Sequence, residues 1–237
     1  MSRDPQKDAE VRESSKKRIL DAALTVYIRC GYHGADMAAV AAEAQLAKGL
    51  VYYYYKTKNE LFAELYTWMF NEGYSFSETL LKNTEGLDPV EQLMAYAYGM
   101  FAANRDNPRM MQFFIRVPFD AYAIFGAERW KDGAQKSGLH KRALEKIIEN
   151  GVAQGLIPGT DPSGAANSFW SVFVANVFEY SKLMAGTQPP LENEPAVFKN
   201  VVRFCFQGLG VEYDLWNPCL KKITVLNKKE GNSNEGL

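Results

Sequence analysis

The stretch Lys48-Gly49-Leu50-Val51-Tyr52-Tyr53-Tyr54-Tyr55-Lys56-Thr57-Lys58-Asn59-Glu60-Leu61 decides the reading of this chain. Thr57 with Glu60 three residues on is a capping box, so a helix opens at Lys58. The segment before it predicts a short helix over about 47 to 54. Successive residues turn by about 100°, so four consecutive tyrosines cannot share one face. The run must therefore divide between an inner and an outer face.

Upstream, Ile19, Ala23, Val26, Tyr27 and Cys30 recur at helical spacing, which predicts a helix over about 14 to 30 that stops at Gly31. A second short helix over about 37 to 44 follows, capped by Asp36. Helix, short helix, tight turn and second short helix make a helix-turn-helix pattern, whose second short helix enters the DNA major groove. Downstream, helical spacing continues and strand-like alternation is absent, so the fold class is all-α. A long helix over about 58 to 82 is expected first, then others at about 89–105, 108–117, 119–130, 137–154, 162–185 and 195–211. Asp88-Pro89, Asn107-Pro108 and Asp161-Pro162 mark starts, and Gly86, Gly155 and Gly186 mark stops. The expected division is a disordered arm over 1–13, a DNA-binding head over 14–62, a helical ligand-binding and dimerisation body over 63–213, and a tail over 214–237.

Composition agrees with a globular protein: 237 residues, 47% hydrophobic and 13% aromatic, with a net charge of -1. Residues 1–62 carry ten Lys and Arg against eight Asp and Glu, so a DNA contact has to come from local placement of cations. Cys30, Cys205 and Cys219 lack paired spacing, which fits a reducing cytoplasm, and His33 and His140 lack the companions of a metal site. No apolar run reaches the eighteen or so residues of a membrane span, and the polar amino terminus is unlike a signal peptide. Catalytic residues, metals and cofactors are not expected, because no phosphate loop, nucleophile elbow or Cys/His arrangement is present.

From Arg18-Ile19-Leu20-Asp21-Ala22-Ala23 through Gly31-Tyr32, Met37-Ala38-Ala39-Val40-Ala41 and the Lys48–Leu61 stretch, the chain closely resembles the TetR family of transcriptional regulators. The resemblance spans residues 18–62. It implies that residues 47–54 form the recognition helix, with operator DNA as partner. Lys48 then reaches a guanine edge or a phosphate, and Gly49 lets the backbone come close, with Leu50 beside it. Tyr52, Tyr53 and Tyr54 offer hydroxyls and ring faces, Tyr55 stands where the family usually has Phe and is expected in the head's core, and Lys58 adds charge at a helix start. Ala35, Ala47, Gln45 and Ala38 depart from the family pattern. Ala47 is a poor cap, so more of the recognition falls on Lys48 and the tyrosines.

The body supplies Tyr66, Met69, Tyr96, Met100, Met111, Phe114, Tyr122, Phe169 and Phe173, which suit an adaptable apolar pocket, and the resemblance implies such a pocket. Asn104, Arg116 and Asn176 interrupt these faces and can either orient a ligand or be satisfied internally. Phe169, Phe173, Val177 and Tyr180 on one helix, and Val197, Val201, Phe204 and Cys205 on another, suit a two-fold bundle between homodimer subunits, with burial inside one subunit the alternative. The expected function is a ligand-responsive repressor released by a hydrophobic or aromatic small molecule. The rivals are a ligand-independent architectural DNA binder and an enzyme with an appended head.

Overall fold

The computed structural model describes residues 5–137, 139–159, 161–185 and 194–222, and among these it is helical with no strand. The helices are α1 (Pro5–Gly34), α2 (Met37–Glu43), α3 (Lys48–Tyr54), α4 (Lys58–Asn83), α5 (Pro89–Asp106), α6 (Arg109–Ser137), α7 (Leu139–Ala153), α8 (Pro162–Ala185) and α9 (Glu194–Gly208). A further short helix covers residues 213–222. Contacts divide the described residues into two compact units: those up to Glu72 with Arg109–Ser137, and Gly73–Pro108 with those from α7 onward.

In the first unit the α1 stripe Ile19, Ala23, Val26 and Tyr27 is fully buried against Val40, Val51, Tyr55, Leu61 and Phe62. Residues Phe113, Val117, Ala121 and Ile124 of α6 join the same core, spaced by four, four and three. The head thus includes α6, which the boundaries at 14–62 and 63–213 leave out. Polar groups fasten the two helices along this seam. Arg109 donates to Asp21 Oδ1 and O and to Thr25 Oγ1, each at 2.9 Å. Arg116 Nη1 donates to the main-chain oxygens of Ile28 at 2.6 Å and Tyr27 at 3.4 Å. The Tyr32 amide donates to Asp120 Oδ2 at 3.3 Å, and from α4 Asn59 Nδ2 donates to the Ile124 carbonyl of α6.

Three sequence expectations need correction. Helix α1 begins at Pro5, so residues 5–13 are helical and not a disordered arm. Its residues 9–13 are exposed and the segment lacks an apolar stripe to read; Pro5 suits a first helical position and Glu13 with Lys17 is a favourable i, i+4 pair. Pro118 does not separate two helices, since α6 runs through it and breaks at Gly126, where φ is 72°. An interior proline costs about 3 kcal/mol. Burial of Phe113, Val117 and Ile124 at about 1.5–3 kcal/mol each outweighs that, and Pro118 itself lies on the exposed face. Finally, residues 213–222 are not tail. Trp216, Cys219 and Leu220 are buried, with Trp216 against Phe206, and Lys222 Nζ donates to Glu91 Oε1 at 2.7 Å. Gly186 and residues from 223 onward lie outside the described residues.

The second unit packs α5 against α7, α8 and α9, and α7 on α8. Asp88 caps α5 through the amides of Val90 and Glu91, and Asp161 caps α8 through the amide of Gly164.

The turn from α2 to α3 carries a local strain. Leu46 N donates to Ala41 O and Gln45 N to Ala42 O, the paired bonds of a helix stop with its reversing residue in the left-handed region. That residue is Gln45, at φ 52°, among the described residues the one non-glycine with positive φ. A left-handed side-chain residue costs about 1 kcal/mol or more, and glycine's extra unfolded freedom returns about 0.5 to 1 kcal/mol of that. Gln45→Gly is therefore expected to raise the thermal midpoint slightly, by on the order of 0.5 kcal/mol of stability, whereas Gln45→Val should lower it. Calorimetry of the three proteins checks this, and a lower midpoint for Gln45→Gly would contradict the strain.

Candidate nucleic-acid interface

Helix α3 is two turns long, and its roll is set from below. Val51 and Tyr55 are fully buried, whereas Tyr52 and Tyr53 are 38% and 58% exposed. Lys48 and Gly49 are exposed as well, and Leu50 and Tyr54 are half-buried. A Cβ placed on Gly49 would meet open space, so nothing in the subunit keeps another molecule from its backbone. Lys48 Nζ stands 5.7 Å from the Tyr52 ring centre, and Tyr53 and Tyr54 meet edge to face at 5.2 Å. Burial pushes the Tyr55 phenol well above its ordinary pKa, with Glu64 adding to the shift, so it stays a neutral core group.

The flanks hold α3 in place. Asp36 caps α2, its Oδ1 accepting from Ala38 N and Ala39 N at 2.8 Å each. Those amides hold the Asp36 carboxyl below the usual range, and Lys48 and Lys58 contribute less. Ala47 gives α3 no side-chain cap, as expected from its chemistry. At the other end Lys56 Nζ donates to Tyr52 O at 3.1 Å and Tyr53 O at 3.3 Å, a cation placed on the negative end of the helix. Glu60 N donates to Thr57 Oγ1, while the Glu60 carboxylate takes the Lys56 amide, one residue earlier than the usual reciprocal bond. Lys58 is half-buried, with Nζ 4.4 Å from the Tyr32 ring centre and 3.4 Å from the His33 carbonyl. The predicted contact residues Lys48, Gly49, Leu50, Tyr52, Tyr53, Tyr54 and Lys58 therefore all belong to α3 or the start of α4.

The expected pocket residues are scattered more widely. In the first unit Tyr66 and Met69 are buried, and Tyr66 stacks on Phe70 at 4.3 Å, which meets Phe114 at 5.0 Å. Met111 is buried too. In the second unit Tyr96 is buried with its hydroxyl 2.7 Å from Ser77 Oγ, Met100 is half-buried, and Phe169 and Phe173 stack at 6.3 Å. Burial pushes the Tyr96 phenol up to about 12, so this pair is neutral near pH 7. Two of the expected residues lie on exposed faces. Tyr122 is 62% exposed on α6, and Asn176 is exposed with its amide donating to Val172 O of its own helix. The supply of Met, aromatic and interrupting polar residues that suggested them does not say which side of a helix meets solvent. Arg116, read as a possible ligand group, instead serves the α1–α6 seam. Sequence reasoning gave no role to Arg12, whose guanidinium comes to the Tyr53 ring. No run of apolar residues surrounds Arg12 to signal it. Among the described residues no group of three metal-binding side chains occurs, and no helix is long and apolar enough to cross a membrane.

Comparison with known proteins places this geometry. Residues 19–65 match the family model for bacterial regulatory proteins of the tetR family. The uncharacterized HTH-type transcriptional regulator YhgD of Bacillus subtilis is 28% identical over 182 residues, 76% of this chain and 88% of its own. Two solved structures share the fold. The fatty acid degradation regulator FadR of Bacillus halodurans has a TM-score of 0.61 at 18% identity, covering 81% of this chain and 98% of its own. AibR, in complex with isovaleryl coenzyme A and operator DNA, has a TM-score of 0.61 at 19% identity, covering 80% and 97%. With the helix-turn-helix matched over residues 19–65 and a regulator of the same kind aligned over most of its length, the chain carries a tetR-type helix-turn-helix and is similar to HTH-type transcriptional regulators.

Proposed function

We propose that this protein is a cytoplasmic, homodimeric, non-catalytic repressor whose α3 helices read successive major grooves of an operator and which an apolar small molecule releases from it. One observation carries the reading: Val51 and Tyr55 anchor α3 while Lys48, Gly49, Tyr52 and Tyr53 face outward from it. A lysine can donate to the acceptor edge of guanine, and a tyrosine can donate to a phosphate or pack on a thymine methyl. The open surface over Gly49 leaves room for the duplex.

An apolar effector is the natural one for the body, supported by Tyr66, Met69, Met111 and Phe114 in one unit and Tyr96, Met100, Phe169 and Phe173 in the other. The fold shared with a fatty acid degradation regulator and with a regulator bound to an acyl thioester makes acyl chains the first class to try. Such a molecule releases DNA only through unequal affinity for the DNA-competent and incompetent states.

For the dimer, α8 and α9 offer the surface. Val201 and Cys205, together with Phe169, Phe173 and Val177, are buried within the subunit, and Tyr180 is not among the described side chains. Phe204, by contrast, is 64% exposed. It lines a groove of about 290 Å³ with Gly164, Ser168, Val172 and Gly208, small groups that permit close approach of a second copy.

Three outcomes are expected. Lys48→Ala should relax sequence preference, whereas Lys58→Ala should weaken all duplexes alike and reduce the salt slope by roughly one. Binding titrations at several salt concentrations measure both, and unchanged affinity in both variants would reject α3 as the reader. Sedimentation of Phe204→Asp should show a monomer that remains helical; a dimer that persists contradicts the α8–α9 interface. Screening acyl thioesters and aromatic acids by thermal shift should find a ligand that stabilises the protein by roughly 2.7 kcal/mol at a hundredfold excess over its dissociation constant. The same ligand should lower operator affinity, and stabilising ligands without that effect would rule out the switch.

A further inference from the structure

The exposed first turns of α1 bring to α3 a cation that the reading above leaves unused. Other cations nearby are committed. Lys56 caps α3, Lys58 donates to the His33 carbonyl, Arg18 donates to the Gln45 carbonyl, and Lys16 pairs with Glu64. Arg12 is exposed, and among the described residues no hydrogen bond or ion pair engages its guanidinium. It instead stands 6.0 Å from the centre of the Tyr53 ring, and Lys56 Nζ stands 5.8 Å from the same centre. Two cations thus converge on one ring that is itself 58% exposed, on the helix that faces DNA.

We propose that Arg12 grips a backbone phosphate beside the bases that α3 reads, with Tyr53 steadying the guanidinium, so that the amino-terminal turns of α1 form part of the DNA interface. This rests on α3 being the DNA-reading helix. Phosphate is the fitting acceptor for two reasons. A planar guanidinium matches phosphate oxygens with two parallel donors. Arg12 also approaches from outside α3, where contacts go to the sugar-phosphate backbone, while base edges face the recognition helix. A ring that restricts the arginine beforehand lowers the conformational entropy lost on contact.

The test uses the full chain, a duplex selected by the wild-type protein from a random-sequence pool, and an unrelated duplex of equal length. Arg12→Ala should weaken both duplexes by the same factor, roughly three- to tenfold near 0.1 M salt, with a salt slope shallower by about one. Arg12→Lys should keep the slope. Circular dichroism and melting should be unchanged, because Arg12 lies outside both cores. If Arg12→Ala binds as tightly and with the same slope while Lys48→Ala binds more weakly, the Arg12 contact is overturned and the α3 reading stands. If Arg12→Ala, Lys48→Ala and Lys58→Ala all bind as tightly as the wild type, the α3 reading falls, and the Arg12 contact with it. A loss confined to the selected duplex would indicate a base contact and overturn the phosphate assignment.

Discussion

The burial of Val51 and Tyr55 governs the geometry of the head. A seven-residue helix has too few internal bonds to hold its own orientation, so packing has to set its roll. With those two side chains fully enclosed, the 100° step leaves Lys48, Gly49, Tyr52 and Tyr53 no choice but the outer face. The neighbouring elements serve that arrangement: Asp36 fixes the start of α2, Gln45 turns the chain sharply, and Lys56 closes the end of α3. The four tyrosines are one run in sequence and two environments in space.

A second constraint lies between α1 and α6. Their seam combines an apolar stripe with directional bonds from Arg109, Arg116 and Asp120. Segments separated by about ninety residues in the chain therefore behave as one body, while the distal part of α4 belongs with the other unit. An effector signal in such a protein has α6 as well as α4 available to it, because both have residues in the same core as the recognition helix.

Local chemistry made much of this legible. Asp36, Asp88 and Asp161 were readable as caps because a capping bond spans two or three residues, and the structure contains all three. Helical geometry divides the tyrosine run between two faces, and the family resemblance named Tyr55 as the inward one. What stayed hidden depends on distant partners. Pro118 reads as a break until the buried stripe on the opposite side of α6 is known. Val201 reads as an interface residue until α9 is seen to turn it into its own subunit and to leave Phe204 outside. The first turns of α1 carry no apolar period, so nothing in composition distinguishes an exposed charged helix from a disordered arm. Tyr122 and Asn176 were chosen by residue type, which does not say whether a side chain meets solvent, and both are exposed.

Arg116 aims at main-chain oxygens, and that choice shapes how freely the seam can drift in evolution. Carbonyls at positions 27 and 28 are present whatever side chains stand there, so the bond reads the path of the chain and not its residues. The restriction falls instead on residue 31. A Cβ there would come within 3.2 Å of Arg116 Nε, on a backbone already at φ 71°. Glycine at 31 is consequently held by two separate restraints, and a lineage that loses Arg116 lifts the contact while the positive φ still favours glycine.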